Sequence, residues 1–277
     1  MTKTNDLAGY RVVAVHAHPD DEAISTGGAL ADLARRGADV LVVTCTLGEE
    51  GEVIGERYQQ LVADDADQLG GYRIHELAES LRILGVRGEF LGGAGCYRDS
   101  GMAGSPASRN PRAFVNCGEG GVDKLAAILD TERPHLVMTY DPHGGYGHPD
   151  HIRAHEIAHA AAERVGVPRL VWAARLRSEL EANLPAHAPE GWTMPAPGEL
   201  DAVDETETWV ELDAETFAAK VAAMRAHATQ VIVDDEEAGV YALSNLVTQV
   251  VTRREHYRSG AGVPLVPGAG LLDGIDA

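Results

Sequence analysis

This sequence is poor in positive charge. Lys and Arg total 23 against 43 Asp and Glu, a formal net charge of −20. A field of that sign repels phosphate backbones and anionic headgroups. Bulk binding to nucleic acid or to an anionic membrane surface is therefore excluded as a function class, although a local basic pocket is not. Long apolar runs are missing as well, since no stretch approaches the ~18 consecutive apolar residues of a membrane span. The opening MTKTNDLAGY lacks the apolar core of a secretory signal. Cysteine is scarce: Cys45, Cys96 and Cys117 are irregularly spaced, and no CxxC pair occurs. That argues against a disulfide framework and a thiolate zinc site, and suits a reducing cytoplasm.

What is present is 277 residues, 44% hydrophobic and 24% charged, the make-up of one large globular domain or a domain with an appendage. Short apolar runs alternate with amphipathic stretches. Strands are expected at Val12 to Val15, Asp39 to Thr44, Glu89 to Leu91, His135 to Tyr140 and Arg169 to Ala173. Helices are expected over Gly27 to Arg36, over Arg57 to Leu84 with a break near Gly70-Gly71, and over Val122 to Glu132 and Asp150 to Val165. Such alternation implies parallel strands with helical crossovers, an α/β doubly wound sandwich of strand order 3-2-1-4-5. After about residue 180 the texture changes. Residues 184–198 hold four prolines and read as an irregular connection. A late strand is expected at Trp209 to Leu212, then a helix capped by Asp213 and running to about His227. The last twenty or so residues are Gly-rich and read as irregular. Residues 10–180 are thus expected to form a core, and residues 181–277 an extension that walls the site.

Two strand ends carry the chemistry. The first strand runs into His16-Ala17-His18-Pro19-Asp20-Asp21-Glu22, and the fourth into Asp141-Pro142-His143-Gly144-Gly145-Tyr146-Gly147-His148-Pro149-Asp150-His151. Sites in open α/β sheets lie beyond the carboxyl ends of strands, and in this strand order the two ends flank one crevice. Carboxylates at the first turn would repel a pyrophosphate, which argues against a dinucleotide fold. Imidazoles and carboxylates without thiolates are the ingredients of a catalytic zinc or ferrous site, which takes three protein ligands and keeps a position open for water. His18, Asp21 and His151 are assigned as ligands. Asp20 is left free as the base, and His148 and Tyr146 as donors to an oxyanion, with His148 as imidazolium. Asp150 either holds His148 in its protonated form or caps the following helix. His16 reads as a structural hydrogen-bonder. Residues 214–227 read mainly as a packing helix, with His227 and Gln230 at its end as weak candidates to reach the site.

HAHPDDE with the later GYGHPDH resembles the PIG-L (LmbE-like) family of zinc-dependent N-deacetylases. TCTLGEEGEVIGER, DQLGGYRIHEL, LGGAGCYRDSGMAG, TYDPHGGYGHPDH and AHATQV extend the likeness over most of residues 10–260, toward the branch that deacetylates N-acetylglucosaminyl-inositol in mycothiol biosynthesis. The resemblance implies a Rossmann-like sheet in a single domain of residues 1–277, one zinc ion per chain and the ligand set above. Asp20 is then the base, with His148 and Tyr146 at the oxyanion. It further implies sugar and inositol contacts from Arg73, Asp99 and Glu52. The partner is a small amino-sugar inositol rather than nucleic acid or membrane, in the cytoplasm; a homo-oligomer is compatible with the sequence, which does not fix that state. Departures are His143 where the family has Asn, and Cys96-Tyr97 for Arg-Trp. The nearest rival is an amidase of mycothiol S-conjugates, which tends to carry Lys where Ser25 stands. A deacetylase of another amino sugar and a non-catalytic metal- or sugar-binding module are two further rivals.

Overall fold

The computed structural model describes residues 4–234 and 239–277. The parallel strands are β1 (Arg11–His16), β2 (Asp39–Thr44), β3 (Arg87–Phe90), β4 (Leu136–Thr139) and β5 (Arg169–Ala174). β1 lies between β2 and β4, giving the order β3-β2-β1-β4-β5 that the alternation predicts. Successive side chains of a strand point to opposite faces. Val12 and Ala14 accordingly enter one core layer, and Val13 and Val15 the other. Burying each such valine contributes roughly 1.5–3 kcal/mol before the entropy of ordering is counted.

The crossover helices are α1 (Asp21–Arg35), α2 (Leu69–Leu84), α3 (Gly118–Glu132) and α4 (Pro149–Val165). α5 (Arg177–Asn183) and α6 (Ala214–Ala226) follow β5. α1, α2 and α6 pack together on one face, and α3 and α4 on the other. Asp213 caps α6 as expected, accepting the Thr216 N–H at 2.9 Å. α1 starts at Asp21 rather than Gly27. Its first turn is the acidic pair Asp21-Glu22, which the positive end of the helix dipole favours. The break expected at Gly70-Gly71 lies earlier, between a 3₁₀ turn at Glu56–Leu61 and the start of α2. Gly70 sits inside α2 because a Cβ there would stand 2.7 Å from the Glu49 side chain.

The C-terminal residues contribute strands to the sheet itself. β6 (Thr208–Glu211) and β10 (Arg254–Gly262) extend the sheet, with β10 antiparallel to both β5 and β6. Part of the expected irregular tail is therefore strand. Its glycine content has a packing cause: at Gly260, beside a bulge, a Cβ would come within 2.5 Å of the Leu170 side chain and 2.6 Å of the Trp172 indole nitrogen. A small sheet of β7 (Ile232–Val233), β8 (Val240–Ala242) and β9 (Gln249–Val250) completes the extension. Among the described residues, no helix is long and apolar enough to cross a membrane.

Candidate metal centre

β1 and β4 are hydrogen-bonded neighbours, so the two loaded strand ends meet. His18, two residues past β1, and His151, in the first turn of α4, come together with Asp21 at the start of α1. His18 Nδ1 lies 3.3 Å from His151 Nε2. Asp21 places Oδ1 3.3 Å from His151 Nε2 and Oδ2 3.4 Å from His18 Nδ1. All three residues are buried.

The hydrogen bonds behind these atoms fix their tautomers. His151 Nδ1 lies 3.2 Å from the Gly144 carbonyl, which can only accept, so Nδ1 carries the proton and Nε2 presents a lone pair. His18 Nε2 lies 3.3 Å from Asp150 Oδ2 and 3.6 Å from Asp99 Oδ1, so its Nδ1 presents the lone pair. Two lone pairs and a carboxylate aimed at one point repel one another unless positive charge lies among them. Burial opposes charge on His18, yet Asp99, Asp150 and Asp21 hold its imidazole well above the ordinary value, so without a cation a proton occupies Nδ1, and a bound cation would take that proton's place. The spacing fits a metal: a tetrahedral ion with bonds of about 2.1 Å separates its ligands by about 3.4 Å. The residues present therefore suit a divalent cation. His148 also lies near, its nitrogen within 4.8 Å of those of His18 and His151.

Asp20 stands beside this point and pairs with Arg73 Nη2 at 3.1 Å. Burial pushes its carboxyl up to about 6, against the pull of the Arg73 charge. Its backbone is strained, with φ +115°, a region that costs a non-glycine residue on the order of 1–3 kcal/mol.

His148 and Asp150 relate differently from either expected arrangement. The His148 side chain is the cap of α4: its Nδ1 accepts the Asp150 N–H at 3.2 Å, leaving Nε2–H free. Burial, with His18 and His151 adding to it, pushes the His148 imidazole down to about 3. It is a neutral donor, which corrects the imidazolium expected from sequence. The Asp150 carboxylate turns away from His148, toward His18 and the Ser100 N–H at 2.9 Å. It is the acceptor behind His18, an arrangement that would orient this imidazole toward a cation. Tyr146 is 56% exposed, with its ring 5.1 Å from that of His151 and 6.1 Å from that of His148.

The three residues expected to bind substrate divide. Arg73 is only 2% exposed, and its guanidinium is spent on the Gly48 and Pro19 carbonyls and on Asp20. It holds the Asp20 carboxylate. Asp99 is buried beside His18, and its Oδ1 accepts the Gly101 N–H at 2.8 Å. Glu52 is exposed and makes no hydrogen bond to the cluster among the described residues; Glu49 of the same run does reach it, accepting the Asp99 N–H at 3.0 Å. Sequence reasoning missed Tyr140. Its hydroxyl donates to Asp21 Oδ2 at 2.7 Å, and its ring stacks on His151 at 4.2 Å. The signal was available, since Tyr140 closes the strand just before the second motif. His16 bonds Thr26 at 3.0 Å, outside the cluster.

The model of the GlcNAc-PI de-N-acetylase family, PIG-L, matches residues 13–162. A protein of Corynebacterium glutamicum named 1D-myo-inositol 2-acetamido-2-deoxy-alpha-D-glucopyranoside deacetylase is 58% identical, with 98% of this chain and 99% of that protein covered. The chain belongs to the PIG-L family. Among solved structures, the N,N'-diacetylchitobiose deacetylase of Pyrococcus horikoshii shares the fold at a TM-score of 0.52 and 24% identity, covering 78% of this chain and 69% of that one. So does GalB of Pseudomonas putida, a 4-carboxy-2-hydroxymuconate hydratase, at a TM-score of 0.54 and 19% identity, covering 90% and 95%. The PIG-L-like fold therefore carries more than one reaction, and activity has to be argued from the site and the near relatives.

Proposed function

We propose that this protein hydrolyses the acetamide of 1D-myo-inositol 2-acetamido-2-deoxy-alpha-D-glucopyranoside, releasing acetate and the free amine, in the cytoplasmic synthesis of mycothiol. The near full-length identity to the Corynebacterium glutamicum deacetylase supports the substrate. The observation that carries the chemistry is the His18, Asp21 and His151 tripod, with the two histidine nitrogens 3.3 Å apart and one Asp21 oxygen 3.3–3.4 Å from each, beside the Arg73-paired carboxylate of Asp20. We read residues 1–277 as a single unit, because β6 and β10 complete the sheet of the N-terminal core.

His18, Asp21 and His151 would hold a zinc ion, or ferrous iron, which the same donors suit. When bound, such an ion makes water a stronger acid and polarises a carbonyl. The chain's own residues supply the rest. Asp20 takes the proton of the attacking water on its carboxylate, at a pKa suited to neutral pH. His148 donates its Nε2–H to the acetamide oxygen as negative charge develops there, and needs no charge of its own to do so. Tyr146, on a loop of glycines at positive φ, brings a second donor over the substrate. Asp20 then returns its proton to the departing amine nitrogen. Arg73 steadies Asp20, and Asp150 steadies His18. The test is acetate release from this glycoside with metal analysis of the same sample. Release that depends on bound metal is expected; a metal-replete sample that releases none would overturn the reading.

A further inference from the structure

His227, the residue that closes α6, is 0% exposed although it has no place in the hydrolysis itself. Its Nε2 lies 2.7 Å from Glu22 Oε1, and Glu22 is likewise fully buried. The same oxygen accepts the Ser80 hydroxyl at 2.5 Å. The other oxygen, Oε2, accepts the backbone N–H of Asp20 at 2.9 Å. The Asp20 carbonyl is tied too, accepting the Ala23 and Ile24 N–H groups at 3.0 and 2.9 Å. The strained peptide that aims Asp20 is thus clamped on both sides, and its N-terminal clamp is a carboxylate steered by His227. The segment after His227 is itself anchored: Thr229 donates its N–H and its hydroxyl to Glu76 of α2, each at 2.8 Å. Two glutamates on two helices therefore dock the end of α6 beneath the base.

We propose that His227 is a positioning residue for the hydrolysis, acting through Glu22 to hold Asp20 in its φ +115° conformation. A strained conformer persists only where its surroundings over-determine it, and here part of that surrounding comes from the C-terminal extension. Buried ion pairs contribute little net stability on their own, so the function of this pair is sought in the geometry it imposes. The inference rests on the reading of Asp20 as the base.

The experiment is steady-state acetate release by the zinc-loaded full-length chain carrying His227→Phe, His227→Gln, Ser80→Ala or Asp20→Asn, with zinc content measured for each. His227→Phe is expected to lower kcat about 10–100-fold at unchanged KM and zinc content, the loss that follows when a reacting group shifts by about an ångström. His227→Gln returns an N–H to Glu22 Oε1 and is expected to recover most of that loss. Parental kcat in His227→Phe, a loss that merely tracks lost zinc, or no recovery in His227→Gln would each overturn the proposal. Should His227→Phe fail to fold, Ser80→Ala decides, because it removes the other donor to the same oxygen: lowered kcat at constant KM supports the clamp, and parental kcat overturns it. Asp20→Asn separates the two layers. If it stays active, the assignment of the base falls and the inference with it. If it is inactive while His227→Phe is unimpaired, only the positioning role falls.

Discussion

At the scale of single residues, the site works by assigning neighbouring ionisable groups opposite states. Asp20 and Asp21 are adjacent in sequence, yet burial raises the first while the pull of the neighbouring His151 and His18 imidazoles outweighs burial and holds the second well below the ordinary carboxylate range. Asp20 accepts a proton only when ionised. The acid limb of kcat/KM is therefore expected between the ordinary 3.8 and about 6, with bound cation drawing it toward the lower end. A pH–rate profile checks this. Activity that persists unchanged below that interval contradicts the role, and Asp20→Asn is expected to lose roughly 10²–10⁴-fold in turnover while keeping its metal. Much at this scale was legible in the motifs, because His and Asp crowded at two strand ends have no comfortable alternative to a cation. The roles of His148 and Asp150 were not. Which of two side chains caps a helix and which turns to a distant histidine depends on backbone direction, and spacing alone does not carry it.

At the scale of elements, the loop from β4 to α4 sets the second half of the site. Gly144 has φ +66°, and a Cβ there would stand 2.7 Å from the Ile152 nitrogen and 2.8 Å from the His151 Cβ. Its carbonyl also fixes the His151 tautomer. Gly144→Ala is expected to displace His151 and weaken zinc affinity about 10–100-fold, as loss of an outer partner does. Competition with a calibrated chelator reads this, and unchanged affinity would show that the loop does not aim the ligand. Four of the parallel strands, β1, β2, β4 and β5, could be read from the sequence because each is a largely buried apolar run with a helical stretch behind it; β3, Arg-Gly-Glu-Phe, is exposed over most of its length and is marked only by its place between two helical stretches. β10 could not, because Ser-Gly-Ala-Gly has the composition of a loop. Only the Leu170 and Trp172 side chains across the sheet explain why a strand there needs a glycine. The start of α1 was hidden for a related reason: its first turn is made of the site's own carboxylates, which break the apolar periodicity.

At the scale of the whole molecule, the centre joins pieces more than a hundred residues apart in sequence, with His18 and Asp21 after β1 and His151 in α4. A ligand that binds only the folded arrangement stabilises it by mass action, by about 2.7 kcal/mol at a hundredfold excess over Kd. Zinc added to metal-stripped protein is therefore expected to raise Tm, and calorimetry that finds no shift would argue against a built site. The extension supplies β6 and β10 to the sheet, and His227 lies against Glu22 in the first turn of α1. The most direct measurement is zinc stoichiometry, paired with acetate release from the amino-sugar inositol, in the parent and in His151→Ala. The parent is expected to hold one equivalent and release acetate, and the variant to lose both together. A variant that keeps its zinc and its turnover would contradict the proposed centre.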